Sequence, residues 1–175
     1  MRFVADCMLG RLARWLRALG FDASYYPRID DAVLLSVARR EGRTVLTRDT
    51  GIAARKGPPP VLLVAGDRWE DQLVQVLAAF DLKASAAPFT RCLDCNAPLK
   101  PLAREDARNL ASPFVVERAG ALAVCPACGR VLWKGTHAAD MEARIRAVLE
   151  SVGAGDPKAG SGPDPGKKRA RVKLR

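Results

Sequence analysis

The chain has 175 residues, 49% of them hydrophobic and 27% charged, with a net charge of +10. That suffices for a medium α/β domain with a smaller appendage, while the longest apolar runs, VLLVAG and VLAAF, fall far short of the ~20 residues a membrane span needs. The N-terminal MRFVADCMLGR reads neither as a secretory signal nor as a transit peptide, and the composition excludes collagen, coiled-coil, mucin and disulfide-dense classes.

Residues 1–90 read as alternating strand and helix. RFVAD predicts a short strand ending in an acid. MLGRLARWLRALG predicts a helix with Met8, Leu9, Leu12, Leu16 and Leu19 on one side and Arg11, Arg14 and Arg17 projecting at spacings of three. Gly20 stands where helices stop. FDASYY is a second strand. Asp30 or Asp31 caps a helix over AVLLSVARREG, which again ends at a glycine. TVLT is a third strand, running into Arg48 and Asp49, and residues 49–56 form a short helix or turn. After the GPPP break comes a fourth strand, VLLVAG, whose lack of alternation predicts burial on both faces. A helix over residues 68–81 carries Trp69, Leu73, Val76, Leu77 and Phe80 at helical spacing. This order predicts a mostly parallel sheet with helices on its faces, and such sheets bind ligands at the carboxyl ends of their strands.

Residues 91–136 differ in character: two knuckles, RCLDCNAPL and VCPACGRVLW, flank a mixed insert. A closing helix follows over residues 137–152, with Met141, Ile145, Val148 and Leu149 on one face. GAGDPKAGSGPDPG is a linker, and GKKRARVKLR predicts a basic disordered tail. The expected division is an α/β domain over 1–90, a zinc ribbon with closing helix over 91–152, and a tail over 153–175. These parts carry net charges of +3 over 1–90, +2 over 91–150 and +5 over 151–175. Half of the excess thus sits on the last 25 residues, which suits either a polyanion partner or a solubilising tail.

The cysteines carry the most specific signal. Cys92 and Cys95, then Cys125 and Cys128, form two C-x-x-C pairs separated by 29 residues. Each tight turn aims two thiolates at one point, and two turns complete a tetrahedron with Zn–S distances of ~2.3 Å. Pro98 and Pro126 suit knuckles better than the helix start of a redox motif. Four thiolates leave no open position, so the zinc is expected to be structural. With no signal segment ahead of the cysteines, a reducing, cytoplasmic compartment is expected. Cys7 is expected to be a packing residue outside the zinc site.

The acids form the second pattern. Asp6 ends the first strand and Asp49 follows the third. Asp30 and Asp31 head the helix between them, and Asp67 follows the fourth strand. In a parallel sheet these share one edge. Converging carboxylates call for a cation, and hard oxygen ligands suit Mg²⁺ or Mn²⁺. Helix caps and solvated loop acids are the alternative.

FVADCMLGRLARWLRALGFDASYY, DDAVLLSVARREGRTVLTRD, the two knuckles and WKGTHAADM together resemble the Mut-seven C-terminal RNase domain family. The resemblance covers residues 2–150. It implies a PIN-like nuclease domain with an attached zinc ribbon and a metal-dependent ribonuclease activity. Asp6 matches the family acid at the end of strand one and Asp49 the acid of its T-R-D motif. The acid heading the intervening helix maps to Asp31, with Asp30 equally close in register, and Asp67 is a candidate fourth acid. Cys7 stands where a small residue is expected.

The expected function is therefore an endoribonuclease using Asp6, Asp31 and Asp49 with Mg²⁺ or Mn²⁺ on RNA, single-stranded by preference. Arg14, Arg17 and Arg48 are candidates for phosphate contacts. The alternative is a non-catalytic RNA-binding module on a degenerate PIN-like scaffold. His137 is expected to cap the closing helix. Trp15, Trp69 and Phe80 are expected in the core, and Trp133 either packs under the ribbon or faces a base.

Overall fold

The computed structural model describes residues 1–55 and 57–153. The basic tail expected over 153–175 lies, from residue 154 onward, outside the described residues.

The first half alternates as its hydrophobic periodicity requires. β1 (Arg2–Ala5), α1 (Gly10–Ala18), β2 (Asp22–Tyr25), α2 (Asp31–Glu41), β3 (Thr44–Thr47), α3 (Thr50–Ala53), β4 (Val61–Leu63) and α4 (Trp69–Ala79) follow in order. The strands make one parallel sheet, ordered β2-β1-β3-β4. Successive side chains point to opposite faces. Phe3, Ala5 and Leu46 therefore enter a core with α1 and α4, while Val4 and Val45 meet Leu34, Leu35 and Ile52 beneath α2 and α3.

β3 lies between two strands and between two helical layers, and TVLT is accordingly buried at every residue. VLLV, expected to be the doubly covered strand, is instead the sheet edge: Val61 and Leu62 are half-buried and Leu63 is 42% exposed. Apolar runs alone do not separate an inner strand from an edge strand that begins beside a Pro-rich turn.

α1 buries Leu12, Ala13 and Leu16. Its Trp15 stacks on Trp69 of α4, with ring centroids 4.0 Å apart and planes 4° from parallel. Leu12, Leu16, Leu73 and Leu77 are fully buried, so truncating any one to alanine would cost about 2–5 kcal/mol. Gly20, at φ 89°, follows the end of α1, and a Cβ there would run into the Ala87 carbonyl oxygen. Only glycine combines that backbone with that approach.

The second half is a three-stranded antiparallel sheet of β5 (Lys100–Pro101), β6 (Leu122–Val124) and β7 (Val131–Trp133). The insert between the knuckles folds as α5 (Arg104–Ala107) and α6 (Pro113–Arg118), whose Ala107 and Val116 pack with Ala119, Leu122 and Val131. Pro113 opens α6 where a missing N–H costs nothing. The Arg104 guanidinium donates to the carbonyls of Val116 and Ala119 and closes its end.

α7 (Thr136–Ser151) departs from the expected division. The sequence places it with the ribbon, but Ile145, Val148 and the following Val152 are buried in the core of the first half, with α7 against α4. The apolar face of α7 was legible; its destination was set by the open flank of α4. The core of the first half therefore includes residues of α7 and Val152 as well as residues from 1–82.

Candidate functional site

Asp6 leaves β1 at the carboxyl edge of the sheet. Its N–H still donates to Leu46 O at 3.0 Å, which continues the ladder by one residue. The side chain is held on both oxygens: Oδ1 accepts from Met8 N–H at 2.8 Å, and Oδ2 from Arg48 N–H at 3.1 Å and from the Thr47 hydroxyl. Asp6 is 4% exposed, so these bonds replace the water that burial removes. Thr47 Oγ1 in turn accepts from Asp49 N–H at 2.9 Å. One buried hydroxyl thus ties the ends of β1 and β3 together. Thr47 was missed in the sequence because a threonine closing a TVLT strand looks like any β-branched strand residue.

The exposed Asp49 caps α3, its Oδ1 accepting from Gly51 N–H at 2.6 Å. Asp31 is the first residue of α2 and pairs with Arg55 at 2.9 Å. Asp30 precedes it as the exposed N-cap without a side-chain cap bond. Asp67 follows β4 and pairs with Arg48 at 2.6 Å. All the expected acids lie at the carboxyl side of the sheet, but Arg48 and Arg55 already lean on two of them. Among the described residues, no three carboxylates come close enough to one another to share an ion. The expected three-acid ligand cluster of Asp6, Asp31 and Asp49 is therefore not closed in this arrangement.

The donor chemistry of a smaller set suits a hard cation. Mg²⁺ is commonly held by one or two carboxylates, with water and substrate phosphate supplying the rest. A carboxylate offers about four acceptor positions. Asp6 uses three of them on described partners, leaving one at Oδ1, and Asp49 Oδ2 accepts from no described donor. The donors are hard oxygens, as Mg²⁺ or Mn²⁺ requires.

The cysteines converge fully. Cys92, Cys95, Cys125 and Cys128 bring their sulfurs within 4.8 Å of one another, and Cys92 and Cys128 approach to 4.0 Å. A zinc tetrahedron with ~2.3 Å bonds would set sulfurs about 3.8 Å apart, so the four thiols are placed to hold a metal ion. The two turns match: Asn96 N–H donates to Cys92 O at 3.0 Å and Gly129 N–H to Cys125 O at 2.9 Å. Asn96 and Gly129 take φ 63° and 71° to do it. Hydrogen bonding with Cys128 and the crowding of its neighbours push the Cys95 thiol up to about 12. A cation reverses that preference by stabilising thiolates. Cys7 stays outside this cluster as expected, but it is exposed rather than a packing residue.

The family model for the Mut7-C RNAse domain matches residues 1–145, spanning the acid-bearing edge and both knuckles. The chain belongs to the Mut7-C RNAse domain family. Comparison with curated proteins and with solved structures finds no match.

Within this Mut7-C domain the arginines sort differently from expectation. Arg17 is only 7% exposed. Its Nε donates to Ala23 O at 2.7 Å, and its Nη1 to Leu93 O and Asp94 O, both at 2.9 Å. Arg14 pairs with Asp94 at 2.7 Å, and Arg130 joins the same carboxylate. Arg14 and Arg17 therefore clamp the first knuckle rather than stand at the acids. Arg91 adds a bond to Gly20 O at 3.0 Å. Arg48 alone of the three candidates lies among the acids. The knuckle docks at Asp22, the amino end of β2, whereas the acids line the carboxyl ends. The Mut7-C cysteine site and acid edge thus occupy opposite ends of one sheet. His137 is the second residue of α7, whose N-cap is Gly135, and its side chain lies outside the described residues. No described helix is long and apolar enough to cross a membrane.

Proposed function

We propose that the carboxyl edge hydrolyses RNA phosphodiester bonds with Mg²⁺ or Mn²⁺, in the cytoplasm, on single-stranded substrate. The observation that carries this is the buried Asp6 carboxylate, fixed by Thr47 and two backbone amides beside Asp49, in a chain of an RNase family. Asp6 and Asp49 would hold the ion, with Asp31, or Asp30 beside it, joining once Arg55 is released. When bound, such an ion would supply a nucleophile at neutral pH and charge stabilisation for the leaving oxygen. Thr47 and the two backbone amides keep Asp6 oriented. Arg48 can turn from Asp67 toward a scissile phosphate, because both side chains are within reach of solvent. Water adds to phosphorus as the ester oxygen leaves, giving a 5′-phosphate and a 3′-hydroxyl. The four-cysteine site holds structural zinc, since its closed donor set leaves no position for substrate.

A second reading is a non-catalytic RNA-binding module, favoured by the ion pairs that already offset Asp31 and Asp67. Labelled single-stranded RNA, incubated with the full chain with and without Mn²⁺, separates the two. Mn²⁺-dependent cleavage to 5′-phosphate ends, lost in Asp49→Asn, is the expected result. Binding without cleavage would establish the second reading.

A further inference from the structure

The ribbon leaves two large aromatics in water. Trp133, the last residue of β7, is 47% exposed, and Phe114 in α6 is 64% exposed. They line one groove of about 520 Å³ between α6 and the start of α7. That volume falls within the usual range for small-ligand sites. Arg118 and Lys134 stand on the same groove, and among the described residues no carboxylate lines it. The Arg118 guanidinium lies 4.8 Å from the Phe114 ring centroid. Lys134 is held from outside the groove by Glu142, 2.6 Å away. Gly135 supports the platform: a Cβ there would sit 3.1 Å from Trp133 Nε1, so the bare backbone lets the indole lie close.

Exposed aromatic faces with cations beside them match the chemistry of a single-stranded nucleic acid. Bases stack on the rings while basic side chains meet the phosphates, without sequence preference. The lack of acids among the described lining residues and the chain's net charge of +10 favour a polyanion. A duplex keeps its bases stacked inside and offers the rings no π-face. We infer that the Phe114–Trp133 groove is a subsite for an unpaired RNA nucleotide, its base stacked on Trp133 or Phe114 and its phosphate on Arg118 and Lys134. This rests on the reading of RNA as substrate, and it assigns the ribbon a holding surface separate from the acid edge.

The test is binding of a fluorescein-labelled oligouridylate to the zinc-loaded full chain, in buffer without Mg²⁺ or Mn²⁺. Both rings are exposed, so Trp133→Ala with Phe114→Ala should leave the melting temperature unchanged while weakening binding by about tenfold or more. RNA should also quench tryptophan emission, and that quench should vanish in Trp133→Ala, because Trp15 and Trp69 are buried. Trp133→Phe should keep most of the affinity. Unchanged affinity in the double variant would overturn the proposal. So would equal competition by duplex RNA or by polyphosphate, since either would show that charge alone binds. A wild type that shows the quench yet cleaves nothing with Mn²⁺ would sink the hydrolytic reading and leave the groove standing.

Discussion

Asn96 of the first knuckle holds Asp22 of β2, its Nδ2 donating to Asp22 Oδ1 at 2.7 Å. The other end of the same amide accepts from Ala23 N–H at 3.1 Å. One side chain thereby joins the turn that shapes the cysteine site to the outer strand of the parallel sheet. Asn96 does this at φ 63°, a conformation asparagine tolerates better than most residues. Asn96→Ala should therefore lower stability by about 2 kcal/mol, through two lost bonds and added backbone strain. Asn96→Gly should remove only the bonds and cost less of the strain. Urea unfolding of the zinc-loaded forms measures both, and an Asn96→Ala curve that overlays wild type would show that the knuckle is not fastened here.

Acid should weaken the same joint. Burial of Asp22 pushes its carboxyl up, but hydrogen bonds from Arg43 and Asn96 outweigh this and hold it below the ordinary 3.8. Arg43 pairs with it at 2.5 Å and also donates to Phe3 O at 3.2 Å. A carboxylate with a depressed folded pKa contributes stability that is complete above its unfolded pKa and is lost as pH falls through the folded value. The stability advantage of wild type over Asp22→Asn should thus be constant near about pH 6 and shrink below about pH 4. Unfolding free energies of the pair across that range provide the check, and a pH-independent difference would contradict it.

Removing the metal should reach beyond the ribbon. Metal analysis is expected to give one zinc per chain, bound by Cys92, Cys95, Cys125 and Cys128, with Cys7→Ala leaving that ratio unchanged. Arg17, Arg91 and Asn96 bind the first knuckle to α1 and β2. A strong chelator should consequently lower the melting temperature of the helical signal from the first half, besides releasing residues 91–136. Circular dichroism melts with and without chelator report this. An unshifted first-half transition would mean that the knuckle contributes nothing to the sheet's stability.

Thr47→Val tests the brace at the acid edge. The two side chains have similar shapes, and Thr47 is fully buried. The change removes the donor to Asp6 Oδ2 and the acceptor of Asp49 N–H. A loss of about 1–3 kcal/mol is expected from the unpaired groups. Mn²⁺-dependent cleavage should fall further than the folded fraction does, because Asp6 loses its orientation. Thr47→Ser, which restores the hydroxyl, should recover much of that activity. Equal cleavage by the valine and serine variants would show that the hydroxyl serves stability alone.

Much of this molecule follows from local pattern. Leu12 and Leu16 at helical spacing, the stops at Gly20 and Gly42, and the short TVLT strand announce a parallel α/β unit. The two C-x-x-C turns announce a four-sulfur site, because two residues between cysteines place both sulfurs on one side of a turn. The acids at strand and helix ends follow from parallel topology, which sends every strand's carboxyl end to one edge.

Other features depend on partners distant in the chain. Arg17 reads as the outer stripe of α1, yet a knuckle 76 residues away offers its carbonyl and draws the guanidinium inward. VLLV has the composition of an inner strand but lies at the edge, and the apolar face of α7 covers α4 rather than the ribbon. Arg55 meets Asp31, and Arg48 meets Asp67, only once α3 and β4 have packed. Phe114 and Trp133 share a groove because α6 folds back beside β7. Periodicity states which side of an element avoids water. Which neighbour covers that side, and which carbonyl or carboxylate a long charged side chain finds, is settled by through-space packing.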